Sequence, residues 1–141
     1  LLFLTPLFYH LPKTVLAAII IVAVFGLVNI KEAILILENL LLNHKGEKIE
    51  DEALYKLGEL YEANEEYTKA VKKYRTLIEF YNDDILADDA YYRLAKLFET
   101  KLNQSQKAKE YYELIIFNYQ NSIYFVEARK KFRLLRGDEI K

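Results

Sequence analysis

The chain repeats itself at a nearly fixed distance. The segment DEALYKLGELYE at 51–62 aligns with DDAYYRLAKLFE at 88–99, a shift of 37 residues. The segment YTKAVKKYRTLIEFY at 67–81 aligns with SQKAKEYYELIIFNY at 105–119, a shift of 38. The same step backwards pairs 31–44 with 68–81, and forwards it pairs 123–135 with 85–97. A unit of this length cannot cover its own apolar face, so it must stack on its neighbours.

Within each unit the apolar spacing is helical. Ala53, Leu54, Leu57, Leu60 and Tyr61 recur at three- and four-residue steps, as do Tyr67, Ala70, Val71, Tyr74, Leu77 and Ile78. No alternating strand pattern competes. The reading is therefore all-α, with helices near 31–44, 50–62, 66–81, 86–100, 105–119 and 123–136. They form two full helix pairs flanked by a half unit at each end. Gly46, Asn64, Asn82-Asp83-Asp84, Asn103 and Asn121 punctuate them. Glu50 or Asp51, and Asp88, place negative charge at helix starts, and Ser122 is the expected N-cap of the last helix. Gly58, Ala70, Ala95 and Ala108 allow close helix approach, and Tyr61, Tyr74, Phe98 and Tyr112 are expected to fill the space between helices. Arg129, Lys130, Lys131, Arg133 and Arg136 give the last helix a polar face suited to ending a stack. The first helix carries an excess of apolar residues (Ile34, Leu35, Ile36, Leu37, Leu40, Leu41, Leu42), which predicts a covering segment before it.

These residues resemble the tetratricopeptide repeat. Leu54, Leu57, Gly58, Tyr61, Ala70, Tyr74 and Leu77 match its pattern in the first unit, with Asn82 where Pro is usual. Tyr91, Leu94, Ala95, Phe98, Ala108, Tyr112 and Ile115 match in the second, with Ala95 in place of the Gly. The resemblance covers 31–141 and implies a helix-turn-helix solenoid that binds protein or peptide. The longer, Tyr-rich form is similar to repeats of bacterial cell-envelope proteins. That likeness implies a membrane-associated protein of the envelope, at the inner membrane or in the periplasm.

Residues 1–30 are of another kind. They hold one formal charge, Lys13, whereas 31–141 hold all 21 acidic residues and the other 19 basic ones. The boundary of two domains, 1–30 and 31–141, is placed there. The uncharged stretch between Lys13 and Lys31 would extend roughly 25 Å as a helix, the short end of a membrane span. Pro12 suits a first helical turn, and Lys13 and Lys31 are placed to reach the two interfaces. No polar face can be drawn on this run, so the expectation is a transmembrane helix; a central buried helix is the alternative. A signal peptide fits less well, because no basic region precedes the run. The chain contains no Met, which suggests a fragment or a processed product.

Pro6-Leu7-Phe8-Tyr9, Leu11-Pro12-Lys13 and the run Val15 to Val24 resemble a late transmembrane segment of the SulP anion permeases, over residues 1–33. A permease of that family builds its path from many spans, so one span implies no transport by this chain alone. The word IKEA, at 30–33, fits both resemblances. The two parts are thus expected to have separate ancestors, joined naturally or by artefact. The competing functional reading is a fragment of an anion transporter with an appended repeat tail.

Catalysis finds little support. The carboxylate pairs Glu65-Glu66, Asp83-Asp84 and Asp88-Asp89 fall at turns and helix starts, where solvated caps are expected. There is no Cys, and His10 and His44 are far apart, so neither a thiolate nor a His metal cluster is available, and no cofactor is expected. No nucleophile set or phosphate loop occurs. A net charge of −1 argues against a general nucleic-acid binder. His44 reads as a helix C-terminal residue, and the basic run 129–136 as a solvated cap rather than a lipid or phosphate contact.

The remaining candidate is a groove. In the resembled family the first helix of each pair lines the concave side. Carried over, the groove residues are Glu52, Tyr55, Glu59 and Glu62 from the first pair and Asp89, Tyr92, Lys96 and Glu99 from the second. This acidic surface with two Tyr anchors suits an extended or helical peptide with basic residues. The Lys/Arg/Asn clamp that some members use for a C-terminal carboxylate is absent, so binding of chaperone tails is not expected. The resulting expectation is a non-catalytic protein-interaction scaffold, tethered to a membrane through residues 1–30.

Overall fold

A computed structural model describes residues 29–46 and 49–138. The transmembrane reading of the N-terminal segment lies outside the described residues. Among those described, no helix is long and apolar enough to cross a membrane.

The described residues form six helices: α1 Ile30–Asn43, α2 Glu50–Ala63, α3 Tyr67–Phe80, α4 Ala87–Thr100, α5 Ser105–Asn118 and α6 Phe125–Arg136. Each packs on its sequence neighbour, so the order α1 to α6 is also the order of the stack. Helix bounds fall within two residues of the sequence reading. The start of α6 differs. Its N-cap is Tyr124, and Ser122 sits earlier, with its Oγ accepting from the Tyr124 N–H at 3.1 Å. Ser122 therefore shapes the turn before the helix, because the chain needs two further residues to enter it.

The turns repeat as the helices do. Between α2 and α3, Glu65 takes φ 61°; between α4 and α5, Asn103 takes φ 51°. These positions are 38 residues apart, and the two turns close with matching bonds, Glu66 N–H to Tyr61 C=O and Gln104 N–H to Phe98 C=O. Asn tolerates the left-handed region and Glu does so poorly. At the other ends of the stack Asn29 caps α1 through a 3.0 Å bond from the Glu32 N–H, and Gly137, at φ 93°, closes α6.

The core runs along the stack. Tyr74 and Tyr112 are fully buried, and Tyr61 and Phe98 are nearly so. The expected interior positions are thus interior. Leu57, Leu77, Leu94 and Ile115 fill the same layer, and Ala70, Ala90, Ala95, Ala108 and Ala128 supply the close contacts. On α1, Ala33 and Leu37 are buried, whereas Leu35 is 64% and Leu42 79% exposed. The apolar excess read from the sequence is therefore real: nothing among the described residues covers that face.

Candidate protein-interaction face

The first helices of successive units, α2, α4 and α6, are joined by side chains rather than by backbone proximity. The joint is built twice. In the first copy, Tyr74 of α3 donates to Glu62 of α2 at 2.6 Å, and Arg93 of α4 reaches Glu59 at 2.8 Å and Glu62 at 3.9 Å. In the second, Tyr112 of α5 donates to Glu99 of α4 at 2.7 Å, and Lys131 of α6 reaches the same carboxylate at 2.8 Å. Each joint has a buried phenol, a half-buried carboxylate and a cation from the next unit.

The electrostatics follow from the burial. Desolvation pushes the Tyr74 and Tyr112 phenols well above their usual range, and the carboxylate that each one bonds pushes them further. Both phenols therefore stay protonated and remain donors. At Glu99, burial alone would raise the carboxyl; the bonds from Lys131 and Tyr112 outweigh it and hold the group below its ordinary value. Glu38 of α1 behaves alike, with Lys73 and Tyr61 as the donors that overcome burial.

The structure gathers the eight groove residues expected from the sequence on α2 and α4 and divides them by role. Tyr55 packs on Tyr74 at a ring separation of 5.6 Å and accepts from Arg93 at 3.3 Å. Tyr92 stacks on Tyr124 at 4.1 Å and lies edge-on to Tyr112 at 6.2 Å. Asp89 accepts from the Tyr124 hydroxyl at 2.5 Å. Glu59, Glu62 and Glu99 belong to the joints. Glu52 and Lys96 are exposed, and the Lys96 ammonium lies 5.6 Å from the centre of the Tyr92 ring. Desolvation, then the Glu127 carboxylate, push the Tyr92 phenol up to about 12.

Sequence reasoning missed Arg93, Tyr124, Lys131 and Glu127, which complete this face. The signal was available for two of them. Arg93 and Lys131 are 38 residues apart, as are Tyr74 and Tyr112, while Glu62 and Glu99 are 37 apart. The face consequently carries less free negative charge than a count of α2 and α4 carboxylates suggests.

Comparison with known families agrees with the repeat and with the N-terminal likeness. A tetratricopeptide-repeat profile matches residues 52–83 and 89–122, one match for α2 with α3 and one for α4 with α5. A profile of the sulfate permease family matches residues 1–41, extending into α1. A comparison with curated proteins finds no significant match. With a profile match over each of two tandem helix pairs, residues 52–122 are a tetratricopeptide-repeat segment, a kind of repeat that is typically non-catalytic and generally binds protein or peptide partners.

Proposed function

We propose that the chain is a non-catalytic interaction scaffold that holds a basic peptide segment across α2, α4 and α6. The observation that carries this reading is the exposed polar edge of an otherwise rigid face. Glu52, Lys96 and Glu127 are exposed, Glu127 accepting from the Tyr92 hydroxyl, while Tyr55 and Tyr92 are locked by ring packing and offer ring edges between them. Locked Tyr rings supply contact area at small entropic cost. Carboxylates still outnumber cations on the face after Arg93 and Lys131 are included, which favours a basic segment. Tethering to a bacterial envelope membrane through the apolar run near 15–28 belongs to the same proposal. Its support is the uncharged stretch of sequence.

A photo-reactive residue at position 96, in the full chain, tests the site. The proposal expects crosslinking to a basic peptide that Glu52→Lys abolishes. Labelling from position 72 on α3 with equal yield would place the partner elsewhere.

A second reading is favoured by the sulfate permease match over residues 1–41. In it, the N-terminal part derives from an anion transporter and the repeats are an appended tail. Several further spans encoded upstream in the same reading frame would support it; further helix pairs upstream would favour the scaffold.

A further inference from the structure

The last helix carries a second surface, independent of the α2–α4 face. In the second unit, α5 lies on α4 because Tyr111 is held between Tyr91 at 6.2 Å and Phe98 at 5.5 Å, with Ala95 making room. A shift of 38 carries these positions onto α6, where they become Arg129, Arg136 and Arg133. The seat for a further helix therefore has the shape of the previous one and the opposite chemistry. It persists as a groove of about 310 Å³ between α5 and α6, with Ile116, Phe117 and Phe132 as its apolar wall. Phe117 is 69% exposed.

The charges on this seat are oriented. Arg129 lies 5.7 Å from the Phe125 ring and Arg136 lies 5.5 Å from the Phe132 ring, so the rings hold both guanidiniums at the rim. Asp138 pairs with Arg136 and, at 3.6 Å, with Arg133, which shows the cluster receiving a carboxylate. Arg129 and Lys130 have no carboxylate partner among the described residues. Arg129, Arg133 and Arg136 line the groove against a single carboxylate, Glu113, so three cations face one acid; Lys130 flanks it beside Arg129 and Arg133.

We infer that the α5–α6 groove is a docking seat for an amphipathic helix with an apolar stripe flanked by acidic residues. The apolar stripe would lie on Ile116, Phe117 and Phe132, and its carboxylates would pair with Arg129, Lys130 and Arg133. A furrow with an apolar wall suits a helix better than the flat surface of a bilayer. Arginines replace the aromatic clamp, so the uncharged helix that would continue the array is disfavoured, and its acidic counterpart is selected.

The full chain, in a nonionic detergent, is titrated with a fluorescent synthetic helix of about 18 residues, roughly five turns, bearing a Leu stripe flanked by Glu. The same helix with Lys for Glu is the control. The acidic helix is expected to bind at least about tenfold tighter than the control, with affinity falling as salt rises. Arg129→Glu with Arg133→Glu should remove the binding while helicity by circular dichroism is unchanged, and Glu52→Lys should leave it intact. Arg129→Gln alone keeps the Arg133–Asp138 pair and should weaken binding severalfold if the double variant fails to fold. Equal binding of the two helices, no binding of the acidic one, or indifference to both Arg variants would overturn the inference. So would binding to phosphatidylserine vesicles, or self-association through Arg133, in the absence of helix binding.

Discussion

Gly58 of α2 faces the ring of Tyr74 so closely that a Cβ at position 58 would stand 2.5 Å from Tyr74 Cζ and 2.8 Å from Cδ1. The Tyr74 ring cannot retreat, since it is fully buried and its hydroxyl is tied to Glu62. Gly58→Ala gains up to about 1 kcal/mol of helix propensity but overpacks the core at a typical cost of about 1–3 kcal/mol. The expected result is net destabilisation, read as a lowered thermal midpoint. Ala95→Gly, at the equivalent place in the next unit, should destabilise by about 1 kcal/mol through propensity instead.

Acid should loosen the joints. Glu38 and Glu99 have lowered carboxyl values in the folded chain against an ordinary value of 4.5. A group depressed on folding contributes stability above its unfolded value and loses it as pH falls through its folded value. Thermal melts should show Glu99→Gln less stable than the parent at neutral pH, with the gap closing below 4.5. A gap that stays constant with pH would mean that the charge on Glu99 is immaterial.

Asp51 runs the other way. It is 7% exposed, and burial, then the Asp84 carboxylate, raise its carboxyl above the ordinary 3.8 despite bonds from local backbone N–H groups. A group raised on folding contributes stability that is complete below its unfolded value and lost as pH rises through its folded value. Asp51→Asn keeps an acceptor and removes the buried charge, so it should stabilise the chain at neutral pH. The gain should vanish below 3.8, as followed by thermal melts across that range.

Arg93 joins two units through Glu59, Glu62 and Tyr55. Its side chain is 39% exposed, so screening limits the effect, and Arg93→Ala should cost about 1 kcal/mol. The informative comparison is Lys96→Ala, whose ammonium acts on Glu99 only through space and which should leave stability within about 0.5 kcal/mol of the parent. Denaturant midpoints of the two variants check this.

The periodic core was legible in the sequence because every layer needs the same residue sizes: Tyr74 and Tyr112, Leu57 and Leu94, and Ala70 and Ala108 are each one shift apart and buried alike. The use to which the groove acids are put was harder to see. Glu62 and Glu99 look like free surface charge along α2 and α4, and only the stacking of the next unit brings Arg93 and Lys131 onto them. Asn64 ends α2 as its C-cap, as its place in the sequence implies, but the left-handed residue of that turn is the next one, Glu65, matching Asn103 in the next unit.

That mismatch makes a prediction. Glu65→Asn should stabilise the chain by about 0.5 kcal/mol by easing the left-handed backbone, and Asn103→Ala should destabilise it by about 1 kcal/mol. Chemical denaturation of both variants checks the pair of signs.

The role of the α2–α4 face is tested most directly by backbone amide shifts of the isotope-labelled chain during titration with a basic peptide. The scaffold predicts saturable changes centred on Glu52, Tyr55, Asp89, Tyr92 and Lys96, with Glu52→Lys removing them. Changes centred instead on the outer residues Lys72, Arg75 and Glu79 of α3, or no saturable change at all, would contradict it.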